Sequence, residues 1–368
     1  MKIKPFKLER YFAQHEFSAP YLLSCSDCEP LSQQELMEMA DSESIKLWGE
    51  LSLGYTHSQG HPLLREEVSK LHTKIRAENI VVAAPEECIF IAMNVLLNEG
   101  DHVVTTFPAY QSLYEIATSL HANISKWEPN KNGVFNPEDL FGLVKKNTKL
   151  IVINFPHNPT GETTTNGELE SIVAFAKERN IYLFSDEMYR LLEHDPKDKL
   201  PSVCDIYENG ISLFGMSKSY ALAGLRIGWL ITQDKQLIEK LIEFKDYTSI
   251  CPPAPSEILS IIALRNSEKI LSRNLNIIKR NKKLVEDLIM RHPDKLKWRK
   301  PLAGPIGFLE LNIEKNLDLF CEEMIEEKGV MLLSASIYNY SYPKVRMGLG
   351  RKDFEIGLSH FEEYLSAF

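Results

Sequence analysis

Short apolar runs and stretches of helical period alternate through the middle of this chain. Ile80 to Ala84, His102 to Thr106, Lys149 to Asn154, Ile181 to Ser185, Ile211 to Phe214 and Trp229 to Ile231 are β-type runs bounded by turn residues. Around them apolar positions recur every three or four residues. Leu64, Val68, Leu71 and Ile75 mark one helix face behind Pro62; Leu113, Ile116, Ala117 and Leu120 mark a second; Leu169, Ile172, Val173 and Ala176 mark a third. Near-continuous strands separated by amphipathic helices predict an α/β fold with a mostly parallel sheet covered on both faces.

The flanks differ. Residues 1 to 30 mix aromatic and polar side chains without long periodicity and are expected to form an arm packing on another surface. Leu31 to Trp48 has helical spacing. Helices are predicted from Lys235 to Tyr247, Pro255 to Asn266 and Ser267 to His292, the last carrying six basic residues between Arg273 and Arg291 and read as a solvated link between two domains. Strand-like Phe308 to Leu311, a helix around Leu317 to Lys328 and the run Lys344 to Leu349 predict a smaller α+β domain. At 368 residues, two domains are expected. The predicted division is an arm at 1–30 joined to the small domain, a large domain at 31–270 and the small domain's main part at 271–368.

A net charge of -9 disfavours nucleic acid or anionic membrane as the main partner and points to a small molecule. No apolar run reaches the ~20 residues that span a bilayer, and residues 1–7 lack a following apolar segment, so a cytoplasmic protein is expected. Six cysteines are few for this length. Cys25 and Cys28 have C-x-x-C spacing, but no second pair completes a tetrahedral site, so neither metal nor disulfide is expected.

In parallel sheets ligands bind outside the carboxyl ends of the strands. Here those ends are followed by Tyr110, by Asn158, by Asp186 with Tyr189, and by Lys218. Lys218, in Ser217-Lys218-Ser219, is the candidate nucleophile, since an amine in a dry pocket loses its proton and condenses with a carbonyl as a Schiff base. Arg226, with its planar, permanently charged fork, would hold an anion such as phosphate. Gly224 and Gly228 would leave room for a ligand to pass. Each residue also has a plainer reading as a cap, a turn or a packing contact.

Asn158-Pro159-Thr160-Gly161, Ser185-Asp186-Glu187-Met188-Tyr189 and Ser217-Lys218 with Arg226, in this order, resemble the fold-type I pyridoxal-phosphate enzymes of the class I/II aminotransferase family over nearly the whole chain. The resemblance implies a seven-stranded sheet, pyridoxal 5'-phosphate as cofactor, α-amino and 2-oxo acids as substrates, and transfer of the amino group through Lys218. It implies further that Asp186 pairs with the cofactor's ring nitrogen, that Asn158 and Tyr189 donate to its phenolic oxygen, that Tyr110 stacks on its ring, and that Ser217 and Arg226 hold its phosphate. Tyr55 would reach the phosphate of a neighbouring subunit in a homodimer, and Arg346 would grip the substrate carboxylate beside Asn158.

Three departures stand out. Gly215 occupies a place where many relatives carry a serine. Ala84-Pro85-Glu86-Glu87 replaces the usual small-residue phosphate loop, leaving the Glu86 backbone as a weak phosphate contact. Ser26-Asp27-Cys28-Glu29-Pro30 replaces a glycine-containing substrate loop; its acids would either meet a cationic side chain or form a solvated loop. The same scaffold also hosts C-S β-lyases, decarboxylases and cyclising synthases. A non-catalytic pyridoxal-binding regulator is a further alternative, though the first 50 residues leave no room for a helix-turn-helix.

Overall fold

The computed structural model describes residues 2–368. A two-residue strand β1 (Tyr21–Leu22) is followed by β2 (Ile80–Ala83), β3 (His102–Thr106), β4 (Asn123–Trp127), β5 (Thr148–Asn154), β6 (Tyr182–Asp186), β7 (Gly210–Gly215) and β8 (Gly228–Thr232). The C-terminal part adds β9 (Leu296–Trp298), β10 (Ile306–Leu311), β11 (Val330–Met331), β12 (Leu333–Ser334) and β13 (Lys344–Gly348).

β2 to β8 form one seven-stranded sheet in the order β2-β8-β7-β6-β5-β3-β4. All neighbours are parallel except those of β8, which runs against both β2 and β7. The strands β2, β3 and β7 are buried throughout, as expected when helices cover both faces. The edge strand β4 escapes prediction for the same reason, since four of its five residues are not buried and three of them are the polar Asn123, Ser125 and Lys126.

Since β8 is antiparallel, its amino end lies at the same sheet edge as the carboxyl ends of the others. Arg226, two residues ahead of β8, therefore meets the residues that follow β3, β5, β6 and β7.

The smaller sheet is antiparallel, in the order β12-β13-β10-β9. Its central β13 sets Arg346 opposite Phe308 on β10 and Leu333 on β12. The 25-residue helix Ser267–Arg291 leads into this sheet with an apolar face of Ile270, Ile278, Val285 and Leu288 buried. A final helix, Phe354–Leu365, packs on helix 267–291, on helix 317–328 and on β1 and β11, and sequence periodicity missed that element. Among the described residues no helix is long and apolar enough to cross a membrane.

Two expectations need correction. Leu31 to Trp48 is two short helices, Gln33–Met37 and Ser42–Gly49, because Asp41 caps the second by accepting from the Ser44 amide at 2.7 Å. The arm expected over the first 30 residues packs on the rest of this chain. Lys7–His15 is a helix fixed on this chain, the Tyr11 hydroxyl donating to Leu332 O at 2.6 Å, and β1 pairs with β11. Residues 26–30 are no solvated loop: Arg351 donates to Asp27 at 3.0 Å, Cys28 is buried, and the preceding Leu23, Ser24 and Cys25 are buried beside β13.

That last packing leaves no space at Gly348. A Cβ there would stand 2.1 Å from Cys25 O and 2.9 Å from Cys25 N, both backbone atoms that cannot swing aside. Gly348→Ala should therefore destabilise the protein by about 3 kcal/mol or more, at the upper end of overpacking costs. A denaturant midpoint equal to wild type would show that the 23–28 segment yields.

Candidate active site

Helix 85–96 opens at Pro85 beyond β2, Tyr110 follows β3, Asn158 follows β5, Asp186 ends β6, and Ser217 and Lys218 follow β7. Their side chains converge with Glu86, Tyr189, Arg226 and Arg346 on one cavity of about 450 Å³. Of the ten predicted site residues only Tyr55 lies outside it, 88% exposed on a loop.

Asp186 is buried, and its carboxylate accepts only from the Met188 amide, at 3.1 Å, among the described residues. Burial first, with Glu187 as a like-charged neighbour, pushes its carboxyl up to about 7, while Lys218 pulls the other way. Glu187 is occupied elsewhere, accepting from Ser202, Ser212 and the Val203 amide at 2.7–3.0 Å, and serves packing beneath the sheet edge.

The Lys218 Nζ donates to Ser26 Oγ at 2.9 Å. Burial lowers the pKa of the amine, opposed chiefly by Asp27. A lysine so placed gives up its proton more readily than one in water.

Asn158 is fixed by its own backbone, whose amide donates to Asn154 Oδ1 at 2.8 Å. Its side-chain oxygen accepts from Arg346 Nη1 at 3.4 Å and from the Tyr338 hydroxyl at 3.3 Å. Arg346 is fully buried. It donates through Nε to Ser24 O at 2.9 Å and also contacts Tyr338, yet its Nη2 has no partner. The buried Tyr189 hydroxyl is likewise unpartnered. Each such orphan costs about 1–3 kcal/mol until a ligand satisfies it.

Arg226 adopts a left-handed φ of 54°, a costly conformation for a side-chain-bearing residue that tends to mark functional sites. Its exposed guanidinium reaches Ser217 Oγ at 3.5 Å and Ala223 O at 2.9 Å.

Some sequence readings change here. Gly228 faces Pro85 and the Phe214 carbonyl, not a ligand, and nothing approaches Gly224 within 4 Å. Gly215 has the backbone of Gly228 and Ile227 where its Cβ would stand, so strand packing excludes a serine. Glu86 offers its side chain to the cavity, accepting from Ser112 Oγ at 3.2 Å, and burial pushes its carboxyl up to about 7. Cys25 and Cys28 are buried with thiols pushed up to about 11 and about 12, which makes them inert toward thiolate chemistry.

Sequence reasoning missed the cavity's roof: Leu8, Glu9, Phe12 and Glu16 from the first helix, with Ser26 and Asp27. The spacing of Leu8 and Phe12, and of Glu9, Phe12 and Glu16, was the available signal for that helix face.

Comparison with known proteins agrees with this geometry. The family model for aminotransferase class I and II matches residues 23–356. A PLP-dependent aminotransferase from Streptococcus suis superimposes with a TM-score of 0.94 at 28% identity, covering 100% of this chain and 99% of that one. Aspartate aminotransferase from Pyrococcus horikoshii is 28% identical over 308 residues, 80% of this chain and 76% of the relative. Capreomycidine synthase from Streptomyces vinaceus is 25% identical over 284 residues, 76% of this chain and 72% of the relative. With a matching family model over most of its length and the fold to go with it, the chain belongs to the class I and II aminotransferases, a family of pyridoxal-phosphate-dependent transferases.

Proposed function

We propose that this protein moves an amino group from an α-amino acid to a 2-oxo acid. The observation that carries the reading is one cavity lined by a pKa-lowered lysine, a buried acid with no basic partner and a buried arginine with an unpaired Nη2. These residues fit pyridoxal phosphate. Asp186 would face its ring nitrogen, Asn158 and Tyr189 its ring oxygen, Tyr110 its ring face, and Ser217 and Arg226 its phosphate, with Glu86 nearby. When bound, the cofactor supplies an electron sink for the substrate's α-carbon.

Everything else falls to the chain. Arg346 binds the substrate carboxylate through its free Nη2 and so sets which α-bond is broken. Lys218 Nζ takes the proton from the α-carbon and returns it on the far side of the reaction, a task suited to an amine whose pKa burial has lowered. Helix Lys7–His15 roofs the cavity and keeps water out.

In this reading segments 1–30 and 271–368 build a small domain that closes on the domain 31–270. A homodimer completes the site, supported by an apolar surface at the Tyr55 loop. Leu53, Tyr55 and Tyr247 are 83%, 88% and 91% exposed, and Ser58 bonds Asp246 at 3.0 Å, which holds the two loops together.

The test is a panel of amino acids mixed with the holoenzyme without an acceptor. Conversion of the cofactor to its amine form, with release of the matching 2-oxo acid, is the expected result. A ring-closed product with the amino group retained would instead favour a cyclising synthase, the reading supported by likeness to capreomycidine synthase. Pyruvate and ammonia from cystathionine without half-transamination would make it a C-S lyase. No chemistry with any amino acid would leave a binding protein.

A further inference from the structure

The roof of the cavity carries three carboxylates, of which the exposed Glu9 and the half-buried Glu16 make no salt bridge among the described residues. Asp27 is gripped by Arg351 Nη2 at 3.0 and 3.1 Å. Glu9 accepts only the Tyr110 hydroxyl, at 2.8 Å, and Glu16 only a thiol contact from Cys25 at 3.8 Å, among the described residues. The cavity's bases are already committed: Lys218 and Arg226 to the cofactor and Arg346 to a carboxylate.

Glu9, Phe12 and Glu16 stand at i, i+3 and i+7, so they share one face of the first helix. Glu16 is also that helix's C-cap, where the backbone dipole is negative. Burial, then Asp27, raises the pKa of Glu16 while Arg351 and Lys218 partly offset them, and a further cation placed there would relieve the desolvated charge.

A separate observation says that the cavity awaits a ligand. Arg346 Nη2 and the Tyr189 hydroxyl are buried, unpartnered and part of the same lining. A molecule that satisfies Arg346 brings an anion to the cavity floor, and the unpaired acids above it ask for the opposite charge on the same molecule. Between them Leu8 and Phe12 offer apolar surface for a methylene stem.

We infer that the side-chain subsite formed by Glu9, Phe12 and Glu16 selects an α-amino acid ending in a cation, an ammonium or a guanidinium. The inference rests on the cavity being an amino-acid site, as proposed above. Asp27, neutralised by Arg351, shapes the subsite without adding net charge.

The experiment is a stopped-flow titration of the wild-type holoenzyme with L-arginine, L-citrulline, L-lysine, L-norleucine and L-glutamate, the apparent Kd being taken from the first concentration-dependent change in cofactor absorbance. Arginine should bind about tenfold to a hundredfold more tightly than neutral citrulline, or lysine than norleucine, the gain of one or two charge-assisted bonds. Whichever pair shows the gain identifies guanidinium or ammonium. In Glu16→Gln and Glu9→Gln that ratio should fall toward one, and as a ratio within each variant it is insensitive to partial unfolding. Equal affinities within both pairs, tighter binding of glutamate than of arginine and lysine, or ratios unmoved by both variants would overturn the subsite. Turnover separates the two proposals. Selective arginine or lysine binding without amino transfer sinks the transamination reading alone, and rapid transamination of glutamate with no cationic preference sinks the subsite alone.

Discussion

Lys218→Ala should lower amino-transfer turnover by about 10⁴-fold or more, the combined loss of a nucleophile and a general base. No neighbour is equipped to replace it. Tyr189 and Tyr110 both have hydroxyls whose pKa burial raises, so neither gives up a proton near neutrality, and Ser26 is the lysine's own hydrogen-bond partner. Folding should survive, because removing a desolvated amine relieves a cost and orphans only the Ser26 hydroxyl. The measurement is single-turnover kinetics beside a thermal melt. Lys218→Arg keeps the charge but stays protonated, and it should be equally inactive. Activity within tenfold of wild type, with the yellow absorbance of the reconstituted enzyme intact, would remove Lys218 from the chemistry.

Asp186→Asn should weaken cofactor retention by roughly 150- to 5,000-fold, the equivalent of the ~3–5 kcal/mol lost when one partner of a buried charge pair is removed. The same substitution should act in the opposite direction on the cofactor-free protein. Asp186 titrates near 7 in the folded chain against an ordinary 3.8, so between those values the native state holds a proton that the unfolded state has released. Stability is therefore lost as pH rises from about 4 to about 7, and the full cost is present above 7. The amide carries no such cost. The cofactor-free variant should melt higher than cofactor-free wild type at pH 8 and level with it at pH 4. Glu86, also near 7, is raised in part by Asp186, so its relief in the variant acts in the same direction. Equal melting temperatures at pH 8 would show that Asp186 is better solvated than its position indicates, and unchanged cofactor affinity would detach it from the ring nitrogen.

The large sheet and the residues beyond its strands were legible because burial on both faces makes parallel strands continuous apolar words. Asp186, Lys218 and Asn158 stand where those words stop. Elements that answer to something other than that core were harder to see. β4 lies at the sheet edge with polar residues, and helix Lys7–His15 turns Glu9 and Glu16 toward a cavity where a core helix would place apolar groups. Ser26 meets Lys218 across 192 positions, a distance no local pattern encodes. The glycines misled for the opposite reason. Gly228 is small because β7 and Pro85 crowd against it, and a lone sequence cannot distinguish tight packing from room for a ligand.

Arg346 takes its orientation from Ser24 O, 322 positions away, and β1 finds its partner only at β11. Residues 21–24 must therefore wait for partners more than 300 positions later before Arg346 has its setting. A nascent chain can complete the large sheet and still hold the 21–24 segment unmoored, so the surroundings of Arg346 are assembled after that sheet.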